Sequence, residues 1–319
     1  LMSNREAQPF IRHQDLPSEV VPVLIDVVTS ADWDRYSQNL SEAQRVFAGE
    51  RKFKGDAGQR LRLPEVDGRV KRVLFGLGQD DDIAEMRFGS LGAALPSGYY
   101  AFGVLPSAVD ARLAAIGWGM GTYRFDRYLS EKSDPPILVL NDEATEAEIF
   151  ASVAATALCR DLINTPAGDM GPIALEQAAR DLAELFDADI TSVIGDDLLE
   201  ENYPMIHAVG RAAHEEPRLV EIEWGDPSHP RLAIIGKGIT FDTGGVNMKS
   251  ATGARLMKKD MGGAAHALAL SHMIMATNLP VRLHCLLAIA ENAVSANAYR
   301  PGDILQSRLG LTVEIDNTD

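Results

Sequence analysis

Apolar runs of strand length, Val20 to Val28 and Val70 to Leu77, alternate with polar and glycine-bearing stretches in the first part of the chain. Runs that short, bounded by turn residues, predict buried strands and an α/β region. Ser133-Asp134-Pro135-Pro136 interrupts the pattern, because consecutive prolines forbid a regular helix, and the strand-like Ile137 to Leu140 follows. From Thr145 to Ile163 apolar positions at Ile149, Val153, Ala154 and Leu158 predict a helix connecting two domains.

Farther on, Leu219 to Trp224, Arg231 to Ile235 and Leu283 to Ala290 read as strands. Gly262 to Met275 is apolar nearly all round, as expected of a helix packed deep against a sheet. The sum is an α/β protein: a smaller N-terminal α/β domain over 1–136, then a domain over 137–319 that begins with a strand and the connecting helix and contains a mixed or parallel central sheet. No internal repeat or low-complexity tract is visible.

A length of 319 residues agrees with two domains, and 46% hydrophobic with 24% charged residues agrees with a globular chain. The opening LMSNREAQPF lacks the blocks of a secretory signal, and Met2 is expected to be the true start after a stray Leu1. No apolar run approaches membrane-spanning length. Cys159 and Cys285 are too few for a disulfide framework. These features predict a cytoplasmic protein. The net charge of -16 disfavours nucleic acid and anionic membranes as general partners. A local basic segment, Arg45 to Arg72, carries Arg51, Lys52, Lys54, Arg60, Arg62, Arg69, Lys71 and Arg72 and is expected to be a solvated face.

Candidate chemistry concentrates in the loop expected after the strand Arg231 to Ile235, which reads Gly236-Lys237-Gly238-Ile239-Thr240-Phe241-Asp242-Thr243-Gly244-Gly245. A phosphate-binding loop is excluded, since Arg231 stands where that loop needs Gly and Gly238 where it needs Ser or Thr. The glycine pair instead permits a reversal that brings Lys249 back toward Asp242. Asp260, just before Met261-Gly262-Gly263, suits either a helix N-cap or a ligand. Carboxylates of Asp242, Asp260 and Asp319 suit hard or borderline divalent ions, two of which would need several carboxylates. A lysine ligand at Lys237 has to be neutral, which only a nearby dication makes reasonable. Lys249 is useful charged, stabilising an oxyanion.

The other motifs point elsewhere only weakly. There is no Gly-x-Ser-x-Gly elbow. His207, His214, His229, His266, His272 and His284 form no HExxH pair and are expected to be core or surface residues. Gly117-x-Gly119-x-Gly121 lacks dinucleotide spacing.

GKGITFDTGG, the following Lys249, MKKDMGG and the terminal Asn317-Thr318-Asp319 resemble the leucyl aminopeptidase (cytosol aminopeptidase) family. DLINTPAGDMGP (Asp161 to Pro172), Glu291-Asn292 and Pro301-Gly302-Asp303 are similar to it too, as is GWGMGTYRFDRY (Gly117 to Tyr128) to the end of its first domain. The resemblance implies a macro-like first domain and an α/β/α catalytic domain whose C-terminal part lies beyond this chain. It implies that Lys237, Asp242 and Asp260 bind one metal, that Asp242 and Asp319 help hold the second, that Lys249 is catalytic, and that Met257 lines the pocket for an apolar first side chain. Asn317 is a supporting residue. The metals implied are manganese or zinc, or else magnesium.

In the family the motif continues with Ala-Glu-Gly-Arg, supplying a bridging glutamate and an arginine that holds a bicarbonate base. The chain alone is therefore expected to be inactive and to leave the helix Gly262 to Met275 partly uncovered. The complete protein is expected to be a homohexamer that releases leucine-like N-terminal residues from peptides by attack of a bridging water. The rival reading is a non-catalytic nucleic-acid-binding or regulatory member of the same family.

Overall fold

The computed structural model describes residues 9–79 and 85–319. The chain divides into two compact units between Val153 and Ala154.

The first unit contains β1 (Phe10–Arg12), β2 (Val23–Thr29), α1 (Trp33–Ser37), α2 (Glu42–Glu50), β3 (Arg60–Pro64), β4 (Val70–Gly78), α3 (Gly89–Ala94), β5 (Gly98–Phe102), α4 (Ala111–Thr122), β6 (Pro136–Leu140) and the start of α5 (Glu143–Asn164). Its strands lie in the order β1-β6-β5-β2-β4-β3, parallel except for the antiparallel β3–β4 edge. The edge strand alternates: Leu61 and Leu63 are buried, Arg60 and Arg62 exposed. Central strands are apolar on both faces because both are covered. Ile25, Val27, Phe75 and Leu77 pack on Phe88, Leu91 and Trp118, whereas Val28 and Leu74 pack on Tyr36, Leu40 and Phe53. A capping box of Ser41 and Gln44 starts α2.

Two sequence expectations change here. The strand at Ile137 pairs with β5 and β1, so it completes the first sheet and does not open the second domain. Pro135 ends a loop and Pro136 opens β6; they do not separate domains, because β6 still finds its hydrogen-bonding partners in the earlier strands. The triple glycine at Gly117, Gly119 and Gly121 lies inside α4, where side chains would overlap its neighbours: a Cβ on Gly121 would collide with the Gly89 carbonyl of α3, one on Gly117 with the Glu85 carbonyl, and one on Gly119 with Phe10 and Val153. Its purpose is close helix packing.

The second unit contains the rest of α5, then α6 (Pro172–Leu185), β7 (Asp189–Ile194), α7 (Asp197–Glu200), α8 (Pro204–Gly210), β8 (Arg218–Trp224), β9 (Arg231–Asp242), α9 (Ala251–Ala254), α10 (Gly262–Ala276), β10 (Arg282–Asn292), β11 (Ile304–Gln306) and β12 (Thr312–Glu314). Its main sheet, β7-β8-β10-β9, is mixed: β9 and β10 are parallel and the other neighbours antiparallel. The crossover between the parallel strands is α10, as parallel pairing requires. Val220, Ile222, Leu283, Cys285 and Leu287 meet α6 and α10 in one core. α10 is packed deep, as its composition implied: Ala264, Ala265 and Leu268 are fully buried, and Leu270 is the large apolar residue left half-exposed. Among the described residues no helix is long and apolar enough to cross a membrane.

Candidate metal centre

The glycines around Lys237 belong to a strand and not to a loop. β9 continues through Gly236, Lys237 and Gly238, which pair with Leu287, Ala288 and Ile289 of β10. Gly236 lets α10 approach: a Cβ there would sit 2.6 Å from Ala264 Cα. Turn-rich composition suggested a loop, yet the glycines serve close packing.

A bulge then sets the site. Ile239 pairs with Ala290 and Asp242 with Asn292, so β9 spends one more residue than β10. The extra residue resets the alternation and returns Asp242 to the sheet face that carries Lys237.

Beyond Asp242 the chain reverses at Gly244 (φ +87°) and Gly245 (φ +61°), conformations that favour glycine. Lys249 N–H then bonds the Thr243 carbonyl at 3.0 Å, and Lys249 Nζ comes to 3.2 Å from Asp242 Oδ2. The same ammonium is in contact with Asp319 Oδ1. Asp319 is held by its neighbour, its N–H donating to Asn317 Oδ1 at 2.7 Å. The structure thus brings Lys249, Asp242 and Asp319 together.

Lys237 and Asp260 form the second contact, Nζ to Oδ2 at 2.7 Å. Asp260 lies in the 3₁₀ turn Met257–Met261 and does not cap α10, whose first turn has no side-chain cap. Its carboxylate is free of that structural duty. Met257 opens the same turn, half-buried.

Asp242 is 8% exposed. Burial pushes its carboxyl up, but the Gly244 N–H, the Asn292 amide and Lys249 together outweigh it and hold the group below its ordinary range. It is therefore an anion, with Oδ1 accepting from Gly244 N–H at 2.9 Å and Asn292 Nδ2 at 2.7 Å, and Oδ2 facing Lys249.

Two residues without a role assigned from sequence complete the frame. Asn292 also donates to the Thr318 carbonyl at 2.8 Å. Thr318, buried at 2% exposure, donates Oγ1–H to the Gly244 carbonyl at 2.8 Å and accepts from Asn247 N–H at 3.0 Å. Both are polar residues buried next to an acidic ligand candidate, and such pairs emerge only once long-range pairing is known. On β10 beside Asn292, burial and the Glu215 charge push Glu291 up.

Among the described residues, the group of His, Cys, Asp or Glu donors that draws within 4.8 Å is another one: Glu221, Glu223 and His284. The three predicted carboxylates do not form such a cluster. His284 Nδ1 lies 2.9 Å from Glu221 Oε1, and Arg282 Nη2 lies 2.5 Å from Glu223 Oε2. Arg282 answers the Glu223 charge and His284 meets Glu221 across the strands, which fits a cross-strand polar group.

Residues 157–319 match the model described as the cytosol aminopeptidase family, catalytic domain, and residues 22–141 match the M17 aminopeptidase N-terminal domain. A probable cytosol aminopeptidase of Azotobacter vinelandii is 34% identical over 295 residues, covering 83% of this chain and 60% of that protein. The crystal structure of a cytosol aminopeptidase from Coxiella burnetii superposes with a TM-score of 0.88 at 36% identity, covering 95% of this chain and 66% of that one. The bottromycin maturation enzyme BotP, solved in complex with Mn, gives 0.81 at 31% identity, covering 94% and 66%. The chain thus spans about three fifths of the length of the curated relatives it matches.

Proposed function

We propose, from the premise that this chain belongs to the cytosol aminopeptidase family, that the complete protein is a metal-dependent aminopeptidase and that its centre is built on Lys237, Asp242, Asp260, Asp319 and Lys249. The observation that carries this reading is the convergence of Asp242, Lys249 and Asp319, the last two separated by 70 positions, on one double-glycine reversal.

The donor set fits the group it would hold. Asp242, Asp260 and Asp319 offer carboxylate oxygens, which suit manganese, zinc or magnesium, and Lys237 would join them as the neutral amine. Manganese is supported first, by the BotP complex. Two ions, and a bicarbonate as base, belong to the proposal. Bound divalent ions supply Lewis acidity toward a carbonyl and bring the pKa of water toward neutrality.

The chain's own residues do the rest. Gly244 N–H and Asn292 fix Asp242 in one orientation, so no reorganisation is needed when charge develops. Lys249, charged, stabilises the oxyanion of a tetrahedral intermediate. The neutral amine of the substrate's first residue would also bind an ion held by these carboxylates, which would confine cleavage to chain ends. Met257 contributes to the pocket for an apolar, leucine-like first residue. The complete protein is proposed to assemble as a homohexamer and to work in the cytoplasm.

The test is hydrolysis of leucine p-nitroanilide by the complete protein, with and without manganese. Metal-stimulated release of nitroaniline is expected. Absence of that activity together with salt-dependent retention on DNA would replace the reading by a nucleic-acid-binding one.

A further inference from the structure

The first unit carries a cleft of about 780 Å³, within the range of small-molecule sites. It opens beside β2, which lies between β4 and β5, where the chain passes from one side of β2 to the other. Crevices at such reversals are the usual ligand sites of open α/β sheets.

Its floor is a buried polar network. Asp26, 2% exposed, accepts from the Tyr36 hydroxyl and from Val104 N–H at 2.9 Å and pairs with Arg72 Nε at 3.3 Å. Burial, reinforced by the Asp26 carboxylate, pushes the Tyr36 phenol up, so it stays a donor. Gly103 presses against this group so closely that a Cβ would overlap Asp26 Oδ1. An apolar floor would cost less than buried charges, and what the charges achieve is to pin the loop after β5 at the cleft edge.

Three properties select a ligand. The charged lining residues cancel in pairs, Arg72 on Asp26 and Arg35 Nη2 on Asp32 Oδ1 at 2.6 Å, so the cleft does not favour a polyanion or a bare cation; Asp32 also accepts from Thr29 Oγ1 at 3.0 Å, and its pair with the exposed Arg35 is the one a ligand has to open. Leu24 and Val104, 37% and 50% exposed, form an apolar wall with Leu105 and Pro106. The backbone N–H groups of Leu105, Ser107 and Ala108 have no protein acceptor among the described residues and are available to a carboxylate.

We propose that this cleft binds an apolar α-amino acid as its zwitterion. The carboxylate is taken by the loop N–H groups and Arg72, the ammonium by Asp32, and the side chain by the Leu24 and Val104 wall. The site lies in the first unit and is distinct from the proposed metal centre.

The probe is L-leucine, titrated calorimetrically into the complete protein and into variants whose melting curves match the parent. Saturable binding is expected in protein stripped of metal with EDTA, so that the proposed centre does not compete, and it is weakened by about tenfold or more in Arg72→Met and in Ala108→Trp. Ala108 is an exposed loop residue, so its variant keeps the test sound if Arg72→Met fails to fold. Loss of binding in Lys249→Ala but not in the cleft variants would place leucine at the metal centre and overturn the proposal. No saturable binding, or binding of inorganic phosphate in place of leucine, would overturn it too.

Discussion

The side-chain amide of Asn292 donates to Asp242 Oδ1 at 2.7 Å, across the bulge that separates their strands from regular pairing. It donates at the same time to the Thr318 carbonyl at 2.8 Å. One buried amide therefore joins β9, β10 and the segment that carries Asp319, orienting Asp242 with one donation and tying down the Thr318 backbone with the other.

Asn292→Ala should loosen all three. Asp242 Oδ1 keeps the Gly244 N–H, and the Thr318 carbonyl keeps the Tyr299 hydroxyl at 3.2 Å, so each group loses one partner while buried. A loss of about 1–3 kcal/mol is expected in urea unfolding. Manganese affinity should fall by about 10- to 100-fold, as for other residues that orient ligands. Unchanged affinity with reduced stability would leave Asn292 a purely structural role.

Lys249→Ala separates chemistry from ligation. Removing an oxyanion donor costs about 10²–10³ in turnover, and metal content should stay near the parent value because Asp242 retains its other hydrogen bonds. Turnover and metal content measured on the same preparation of the complete protein decide it. Unchanged turnover would remove the proposed role.

How far the sequence carried depends on range. Strands at Val70, Leu219 and Leu283 and the helix at Gly262 were legible because each is a local run whose periodicity matches its burial. The residues Lys237, Asp242, Lys249 and Asp260 stood out because chemistry-bearing side chains among glycines have few bland explanations. The same glycines misled about local structure, since Gly236 and Gly238 serve packing in a strand. The place of β6 was not legible, because a strand's sheet depends on pairing with residues far away, here Phe10 and Gly98. Asn292 and Thr318 were invisible as site-builders for the same reason: their partners lie 50 and 74 positions away.

Away from the centre, Glu176 sets a pH dependence. It is 6% exposed, accepts from Ser192 Oγ at 2.7 Å, and meets Arg218 at 2.5 Å and Arg180 at 2.5 Å. Burial pushes its carboxyl up, but the Ser192, Arg218 and Arg180 bonds outweigh it and hold the group below its ordinary value. A depressed carboxylate contributes stability that is present above the ordinary value and is lost as pH falls through the folded one. Glu176→Gln leaves the 5%-exposed Arg218 without its counter-charge and should cost about 3–5 kcal/mol at pH 7. The gap between parent and variant in urea unfolding should shrink as pH falls below the ordinary glutamate range. A gap that stays constant with pH would rule out the charge as its source.

Gly236→Ala tests whether the close approach of β9 and α10 depends on a single missing methyl group. The added Cβ would lie 2.6 Å from Ala264 Cα and 2.9 Å from the Gly263 carbonyl, both backbone, so no side chain can rotate away. Either α10 or β9 must move, and overpacking of that kind costs about 1–3 kcal/mol. Lys237 is the next residue on the strand and Asp260 lies just before the helix, so displacement should part Lys237 Nζ from Asp260 Oδ2, now 2.7 Å apart. Metal affinity is then expected to fall along with stability. Gly168, whose Cβ would meet nothing within 4 Å, supplies the control, and Gly168→Ala should stay within about 0.5 kcal/mol of the parent with affinity unchanged. If Gly236→Ala lowers stability yet leaves manganese affinity at the parent level, the Lys237 to Asp260 contact does not contribute to the centre.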